Sequence, residues 1–413
     1  MVTTPDILLL AALRTPFTRD LMPLLKNNSG GLFQRRRLYD VLWGYSDPIL
    51  LNTSFPGIQP NDTSLAQALL QHSPTRIATG AHNPGSTMEY LEWDGGNNLQ
   101  CCADGVRGEA GVSTSDGSCS PAWGTGEASR VRGIFGTATH PFLTPTETVH
   151  LATYPFGIYR HWPLQCAPVA QPAGPPWAID DRSELTSAIG SCDSYSVNGV
   201  SLLKFALPPW VMGNASVSAS EAAGYGITGP SGLVGVAQCE RNAPIFMSRP
   251  LFLYGSDSLR AAMNGTGFEA PSPQLHDSYL GIEPLTGSVL DFHFRLAFNV
   301  HVQPETVHTL GLPFTYFESV APAYLPIGWG MQESSITDAQ TELFMGSVYT
   351  PLKVNAAVMW AGVGAMAAGG LLVALELARA AHRQYRAYKE GSSAGAGSSS
   401  TGEPADYMYT GLN

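Results

Sequence analysis

The sequence predicts an α+β fold: a body of many short strands, a small helical region near the start and one membrane-spanning helix near the end. Gly and Pro number 44 and 31 among 413 residues while only 13% are charged, a mix typical of strands and turns. Apolar and polar residues alternate from Asp291 to Gln303, as in a strand with one buried face. Residues Val354–Leu375 carry no charge, and so long an apolar run predicts a membrane span.

The first 45 residues predict a small helical cap. Ile7–Leu13 and Phe17–Lys26 are mostly apolar stretches that Pro16 separates. Four apolar residues spaced as i, i+3, i+4 and i+7, starting at Leu38, indicate an amphipathic helix over Leu32–Tyr45.

Charge is unevenly distributed along the chain. Residues 1–45 hold six basic and three acidic side chains, whereas residues 46–353 hold 12 basic and 26 acidic ones. A basic cap on an acidic body attracts anionic ligands, although an ordinary solvated helix face explains the same residues equally well. The net charge of −11 and the pI near 5.3 argue against a nucleic-acid partner, because phosphate binding depends on Lys and Arg.

Residues 94–126 are dominated by Gly, Ser, Asn and Asp, and we predict a loop-rich surface insertion there. Three of the six cysteines lie in this segment and could be joined to one another. All six precede the apolar run, as is typical of an oxidising compartment, and could form up to three disulfides. They are Cys101, Cys102, Cys119, Cys166, Cys192 and Cys239.

Residues 148–350 predict the β-rich part of the body. Strands are expected at Val149–Tyr159, Val200–Leu207, Pro244–Tyr254 and Asp291–Gln303. In the last of these one face is predicted to be buried, either as plain core or as the lining of an apolar cavity in a wide barrel. That face carries Phe292, Phe294, Leu296 and Phe298.

Residues Val354–Leu375 predict a transmembrane helix, since 22 helical residues extend roughly 33 Å. Four basic residues follow the segment, so the positive-inside rule places residues 376–413 in the cytosol as a disordered tail. Residues 1–353 are then extracellular or luminal. Small residues from Ala357 to Gly369, at intervals of four, could seat a second such helix in a homo-oligomer, although Ala-rich helices show this spacing by chance.

Five N-glycosylation sequons agree with this orientation, because all of them precede the apolar run. They begin at Asn27, Asn52, Asn61, Asn214 and Asn264.

The start of the chain offers no convincing signal peptide. Ile7–Leu13 is its only apolar run, and no basic residue precedes it. We therefore expect the natural protein to carry a signal or a first membrane helix ahead of this sequence.

No motif points to catalysis. Gly224–Gly229 matches GxGxxG, but Pro230 follows where a helix should begin, so we interpret it as a loop. No nucleophile elbow, zinc or phosphate-loop pattern occurs, and no cofactor or metal is implied. The sequence therefore favours a protein that is not an enzyme.

Five ordered segments resemble the class B scavenger receptors, the group of fatty acid translocase, the high-density-lipoprotein receptor and lysosomal integral membrane glycoprotein. Each is similar to a motif of that family. They are Leu42–Pro48 (LWGYSDP), Gly199–Pro208, Cys239–Tyr254 (CERNAPIFMSRPLFLY), Ile282–Gly287 (IEPLTG) and Leu325–Trp329.

The resemblance implies an ectodomain built as an antiparallel β-barrel with a helical cap, anchored by membrane helices. In this family a hydrophobic tunnel passes fatty acids or sterols toward the membrane, and the cap binds lipoprotein, protein or anionic ligands. The first barrel strands of the family are missing, so the barrel could not close from this chain alone. The resemblance assigns Lys26, Arg35, Arg36 and Arg37 as candidate ligand contacts.

One departure concerns the disulfides. Tyr159 stands where relatives have a cysteine, which leaves Cys239 without its usual partner. The resemblance therefore implies that Cys166 or Cys192 is the substitute.

Two functions remain in view. The first is a lipid-transport receptor in the plasma membrane or an endosomal or lysosomal membrane. The second is a trafficking receptor that carries a luminal protein to a lysosome-like compartment. Tyr409 and Leu412 favour the second, because they fit a Tyr-x-x-apolar sorting pattern.

Overall fold

A computed structural model describes residues 2–5, 33–37, 75–93, 95–102, 105–109, 119–153, 160–167, 192, 194–236, 244–263, 270–309, 312–316 and 321–394. The chain divides into two compact units, residues 1–337 and 338–413. The first unit holds the strands and the second holds a long apolar helix.

Short strands, most of them under eight residues, make up the first unit. They are β1 (Val2–Pro5), β2 (Phe33–Arg36), β3 (Thr75–Ile77), β4 (Tyr90–Trp93), β5 (Asn98–Cys102), β6 (Gly105–Glu109), β7 (Cys119–Pro121), β8 (Thr148–Thr153), β9 (Arg160–Cys166), β10 (Ser194–Val197), β11 (Val200–Ala206), β12 (Val234–Gly235), β13 (Ile245–Ser248), β14 (Tyr279–Glu283), β15 (Ser288–Val302), β16 (Glu305–Thr309), β17 (Leu312–Tyr316) and β18 (Ala323–Ser335).

The helices of the first unit are short. In chain order they are α1 (Gly126–Ser129), α2 (Ala219–Tyr225), α3 (Asp257–Ala261) and α4 (Pro273–His276), and the second unit holds α5 (Asp338–Phe344) and α6 (Thr350–Ala394). Two 3₁₀ turns cover Pro84–Ser86 and Pro250–Phe252, and a π-helical turn covers Met345–Tyr349.

Nine strands form one large antiparallel sheet. Its main path runs β12, β13, β15, β14, β11, β9 and β8, while β10 pairs with β11 and β18 with β15. The α+β class with a large antiparallel sheet is therefore confirmed. Within the described ranges this sheet is open, so barrel closure stays an expectation.

Strand β15 is the axis of the sheet. Along one edge β18 pairs with it from Asp291 to Val302, and β14 and β13 share the other edge. Its alternating sequence suits a strand whose two faces meet different surroundings. Around it, the main core holds large buried side chains such as Trp162, Leu151, Phe205 and Leu280.

The predicted strands are found with changes at their ends. Val200–Leu207 and Asp291–Gln303 correspond to β11 and β15. The strand predicted over Pro244–Tyr254 ends at Ser248, because Pro250 cannot donate to a ladder and opens a 3₁₀ turn.

The loop-rich insertion predicted at 94–126 is partly wrong. This segment contains a three-stranded antiparallel sheet in which β5 pairs with β6 and β7. It is also partly internal, since Leu99 and Trp123 belong to the main core. Because polar residues separate these two anchors, local composition hid the burial.

The helix predicted to begin at Leu32 is wrong in its first turn. Phe33–Arg36 is a strand that pairs antiparallel with Val2–Pro5. The β-branched residues of β1 favour pairing, and this distant partner outweighs the helical spacing that starts later at Leu38. The other residues predicted for the cap, 6–32 and 38–45, lie outside the described ranges.

A disulfide joins Cys166 to Cys192, whose Cα atoms lie 5.2 Å apart. This pairing corrects the expectation that one of the two is the partner of Cys239, which lies outside the described residues. The reason is topological: β9 ends at Cys166 and pairs with β11, and β10, which starts at Ser194, pairs with β11 too. The chain thus returns to Cys166 at a distance that suits a disulfide.

We expect Cys166→Ser to lower the free energy of unfolding by about 3 kcal/mol, because the bridge closes a loop of 26 residues. Denaturant unfolding of the purified chain, with and without reductant, measures this loss, and reductant should destabilise the variant less than the wild type, because this bridge is already absent from the variant. Peptide mapping that links Cys239 to either residue would contradict the pairing.

The second unit contains one helix, 338–390, that is long and apolar enough to cross a membrane. None of the most apolar stretch of this helix is buried against other residues. No other such helix occurs in the part of the chain that the structure describes. The helix continues to Ala394, so the predicted disordered tail is wrong for residues 376–394. Ala, Leu, Arg, Gln and Lys dominate these residues, and all of them favour helix.

Candidate functional site

The apolar face of β15, which carries Phe292, Phe294, Leu296 and Phe298, packs on the main core. Leu296 is only 4% exposed, and the three phenylalanines are half-buried against the same core. The Phe294 and Trp162 rings meet edge to face, with centroids 5.8 Å apart. The structure thus buries Leu296 and half-buries the three phenylalanines, and the role of this face as plain core or as the lining of a tunnel stays a prediction.

Two glycines of β18 lie beside this apolar face. Leu296 pairs with Gly330 and Phe298 with Gly328, and residues directly opposite in a ladder project to the same side. Beyond the chain neighbours, no described atom lies within 4 Å of the place that a Cβ would take at either glycine. Gly328 and Gly330 therefore leave open space at the border of the apolar face.

The opposite face of β15 is polar, yet much of it is buried. Asp291, Arg295 and Asn299 are 4%, 7% and 1% exposed. The prediction that only one face is buried is therefore wrong. Burial removes polar side chains from water, which costs free energy unless hydrogen bonds or opposite charges replace the lost contacts. This face supplies both.

Asp291 is the acceptor at one end of this polar face. Tyr195 donates to it at 2.7 Å, His293 Nε2 lies 3.0 Å from it, and Ser335 donates from β18. Burial alone would raise the pKa of Asp291, but the hydrogen bonds from His293 and two hydroxyl groups lower it to about 2. Asp291 is therefore ionised at every physiological pH.

His293 lies between two carboxylates. Its Nδ1 is 3.2 Å from Glu333, its ring stacks on Tyr279 at 4.5 Å, and Arg295 reaches both His293 and Glu333. The hydrogen bond to Asp291 raises the pKa of His293 above its usual value of 6.5, burial opposes this, and Glu333 adds to it. This histidine is thus a partly buried bridge between β15 and β18.

We expect acid to strengthen the contact between β15 and β18. Because the folded state holds the His293 proton more tightly, this stabilisation is full below the unfolded pKa and is lost as pH rises through the folded pKa. His293→Gln should therefore flatten the change in thermal midpoint of the full chain between about pH 5.5 and about pH 8.5. The exposed His82→Gln is the control, and equal pH dependence in the wild type and His293→Gln would contradict the assignment.

A buried ion pair fixes the turn after β13. Arg249 and Asp277 are 2.6 Å apart, with side chains 2% and 7% exposed. The other terminal nitrogen of Arg249 donates to the backbone oxygens of Leu207 and Pro208 at 3.1 and 2.6 Å. One guanidinium thus holds together the segments that follow β11, β13 and α4.

A second pair, Arg160 and Glu221, ties α2 to β9, and both residues are buried. The Arg160 guanidinium lies 4.1 Å from the ring centroid of Trp162 and 3.7 Å from that of Tyr225. Glu221 also accepts from the backbone N–H of Met212 at 2.9 Å. Sequence reasoning missed this cluster, because 61 residues separate the two charges and no motif marks them.

The GxGxxG segment ends a helix instead of opening one. Ser218 caps the start of α2 by accepting from the N–H of Glu221 at 3.4 Å. After Tyr225, Gly226 adopts a left-handed conformation with φ of 63° and stops the helix. This geometry excludes a phosphate site at a helix N-terminus for residues 224–229.

The basic residues assigned to ligand contact are only partly described. Arg35 and Arg37 are exposed, Arg36 ends β2, and Lys26 lies outside the described ranges. The exposure of two guanidinium groups suits an anionic ligand, but their role stays a prediction.

Among the sequons, only Asn214 is described. It is half-buried, donates to the Gly229 oxygen at 3.4 Å and accepts from the Ser216 hydroxyl at 2.6 Å. Glycosylation stays a prediction at all five positions. Outside the described residues lie Asn27, Asn52, Asn61, Asn264, Tyr409 and Leu412.

Among the residues that the structure describes, no group of three or more His, Cys, Asp or Glu side chains is placed to hold a metal ion. The polar face of β15 has paired acids and a histidine, but Arg295 and two hydroxyl groups already occupy their oxygens. The arrangement is thus suited to holding strands together.

Comparisons with known proteins point the same way as the five motifs. The CD36 family pattern matches residues 1–167 and 190–377. Lysosome membrane protein 2 of Rattus norvegicus is 22% identical over 307 residues, which are 73% of this chain and 53% of that protein. The Homo sapiens protein of that name is 23% identical over 291 residues, which are 70% of this chain and 50% of that protein. Scavenger receptor class B member 1 of Bos taurus is 23% identical over 352 residues, which are 82% of this chain and 58% of that protein.

The chain spans about half the length of the curated relatives it matches. These relatives and the apolar helix of the second unit identify a membrane protein. The family pattern extends through the predicted span and covers most of the chain. The resemblance drawn from the motifs is confirmed, and the chain belongs to the CD36 family.

Proposed function

We propose that this protein is a membrane receptor of the scavenger type, which takes up fatty acid or sterol lipids and passes them toward the bilayer. The observation that carries the proposal is the open space at Gly328 and Gly330 beside Leu296 and Phe298. Relatives named scavenger receptor class B member 1 support the receptor class.

The energetics of an apolar path favour such a cargo. Each CH₂ removed from water gains about 0.8 kcal/mol, so a long acyl chain is retained without a polar pocket. The half-buried phenylalanines of β15 offer this kind of surface. Transfer along it requires no covalent step and no cofactor.

Capture of the ligand is assigned to the basic region at the start of the chain. The exposed Arg35 and Arg37, with Lys26 and Arg36, would attract an anionic or lipid-loaded particle, lipoprotein or protein. The acidic body, with 26 acidic and 12 basic residues over 46–353, would repel it elsewhere. Capture and transfer would thus occur in different parts of the ectodomain.

The proposed topology places residues 1–353 outside the cell or in the lumen and 376–413 in the cytosol. The basic residues that follow Leu375 support it through the positive-inside rule. The disulfide between Cys166 and Cys192 suits an oxidising compartment.

Uptake of labelled fatty acid and cholesterol tests the function directly. Cells that express the full-length protein are expected to accumulate label faster than vector controls, at matched amounts of protein in the plasma membrane. If expressing cells and vector controls accumulate each of the two lipids at the same rate, this would count against the lipid-transport function.

A second candidate is a trafficking receptor that carries a luminal protein to a lysosome-like compartment, and the relatives named lysosome membrane protein 2 agree with that location. In that case Tyr409→Ala should move the protein from internal compartments to the cell surface. An unchanged distribution would remove the support that Tyr409 and Leu412 lend to this candidate.

A further inference from the structure

The helix α6 does not stop where the apolar run ends. It continues for 19 residues beyond Leu375, as far as Ala394, which adds roughly 28 Å. All side chains from Glu376 to Glu390 are exposed. The membrane span therefore leads directly into an exposed helical extension.

Four basic side chains lie on one side of this extension. Arg379, Arg383, Arg386 and Lys389 are separated by four, three and three residues. At 100° per residue they fall within about 120° of arc. Together they form the basic side of the extension, and no other Lys or Arg follows Lys353.

The opposite side of the extension is aromatic and apolar. Leu377, Ala381, Tyr385 and Tyr388 fall within about 80° of arc by the same geometry. Tyr385 and Tyr388 are 64% and 76% exposed. The extension thus has two chemically distinct sides, and residues on one serve as controls for the other.

Local charge favours an anionic partner although the whole protein has a net charge of −11. Glu376 pairs with Arg379 at 2.6 Å and lies 3.9 Å from Arg383, which offsets part of the charge near the membrane. Arg386 and Lys389 follow further along the same side. Glu390 lies on this side as well, next to Lys389, so residues 376–390 carry four basic and two acidic side chains and a net charge of +2.

Distance from the bilayer fits lipid headgroups. At about 1.5 Å per residue, Arg379 lies roughly 6 Å beyond Leu375, within the headgroup layer, and Arg383 lies about 12 Å beyond it. Arg386 and Lys389 lie about 16 and 21 Å beyond Leu375, where the negative surface potential is weaker because it falls off over a Debye length of about 8 Å, so Arg379 and Arg383 contribute most. An ordinary tilt of about 20° brings one side of the extension closer to that surface.

We propose that the basic side of residues 379–389 binds the anionic headgroups of the adjacent leaflet and so fixes the tilt and depth of α6. The partner is a phospholipid with a phosphate-bearing, negatively charged headgroup, held in a bilayer. The interaction continues the membrane contact of the span itself. It rests on the proposed topology only for the choice of the cytosolic leaflet.

The test uses purified full-length protein in mixed micelles of phosphatidylcholine and mild detergent. Labelled phosphatidylserine and phosphatidylinositol bisphosphate are titrated in separate arms, and soluble inositol phosphate is added as a competitor in a third. Replacing Arg379, Arg383, Arg386 and Lys389 with Gln should weaken binding of the anionic lipids at least about tenfold, since each charge near the surface contributes. Higher salt should weaken the wild type in the same direction.

Two matched variants decide the outcome. Replacing the three arginines with Lys keeps the charge and should keep the affinity, while Tyr385→Gln with Tyr388→Gln changes the other side and should have little effect. Unchanged binding in the Gln variant, or an equal loss in the Tyr variant, would overturn the proposal. Full competition by soluble inositol phosphate would transfer the site from lipid to a free phosphate ligand and would also overturn it. Micelle binding does not depend on lipid uptake, so failure here leaves the receptor function intact.

Discussion

Replacing Arg249 with Met is expected to lower the free energy of unfolding by about 3–5 kcal/mol, because it leaves a buried carboxylate without its partner. Burial raises the pKa of Asp277, and Arg249 is the main group that opposes this shift. The variant also leaves the backbone oxygens of Leu207 and Pro208 without their donor. Thermal or denaturant unfolding of the full chain in detergent, followed by tryptophan fluorescence, measures the loss.

Arg76→Met is the matched control for this change. Arg76 pairs with Glu92 at 2.7 Å, but its side chain is 68% exposed. Exposed pairs contribute only about 0–1 kcal/mol, so the control should remain close to the wild type. Equal losses in the two variants would show that the pair of Arg249 and Asp277 does not stabilise the body.

Replacing Gly330 with Phe is expected to bring lipid uptake close to background while the protein still folds. The added ring would project to the same side as Leu296 and fill the open space beside the apolar face of β15. Folding should survive, because Gly330 is exposed and no other described atom contests the space. Uptake is compared at equal amounts of protein in the plasma membrane.

Met331→Phe provides the control in the same strand. Met331 pairs with Arg295 and therefore projects to the polar face, where it is 57% exposed. It adds an aromatic ring one residue away without touching the proposed lipid path. If Gly330→Phe transports lipid as well as Met331→Phe does, the path does not follow this face of β15.

Local patterns in the sequence were sufficient for the strands and the span that dominate the fold. The alternation from Asp291 to Gln303 predicted β15, which runs from Ser288 to Val302. The charge-free run Val354–Leu375 predicted the apolar part of α6. Both signals lie within one element, so they need no knowledge of its neighbours.

Only part of the candidate site could be predicted, because only part of it lies within one element. Phe292, Phe294, Leu296 and Phe298 are visible as one face of a strand. Gly328 and Gly330 acquire meaning only through the register of β18, and the register shift at Phe298 and Asn299 decides which residues they face. That shift depends on pairing between distant segments and leaves no local signal.

The sequence by itself determined the family, the alternation of β15, the apolar span and the uneven distribution of charge. The tertiary structure alone decided that the polar face of β15 is buried, that Cys166 pairs with Cys192, and that Arg160 meets Glu221. The alternation of apolar and polar residues along a strand predicts burial only for its apolar side chains. Whether a polar one is buried depends on partners tens of residues away, whose charges and hydrogen bonds offset its loss of water.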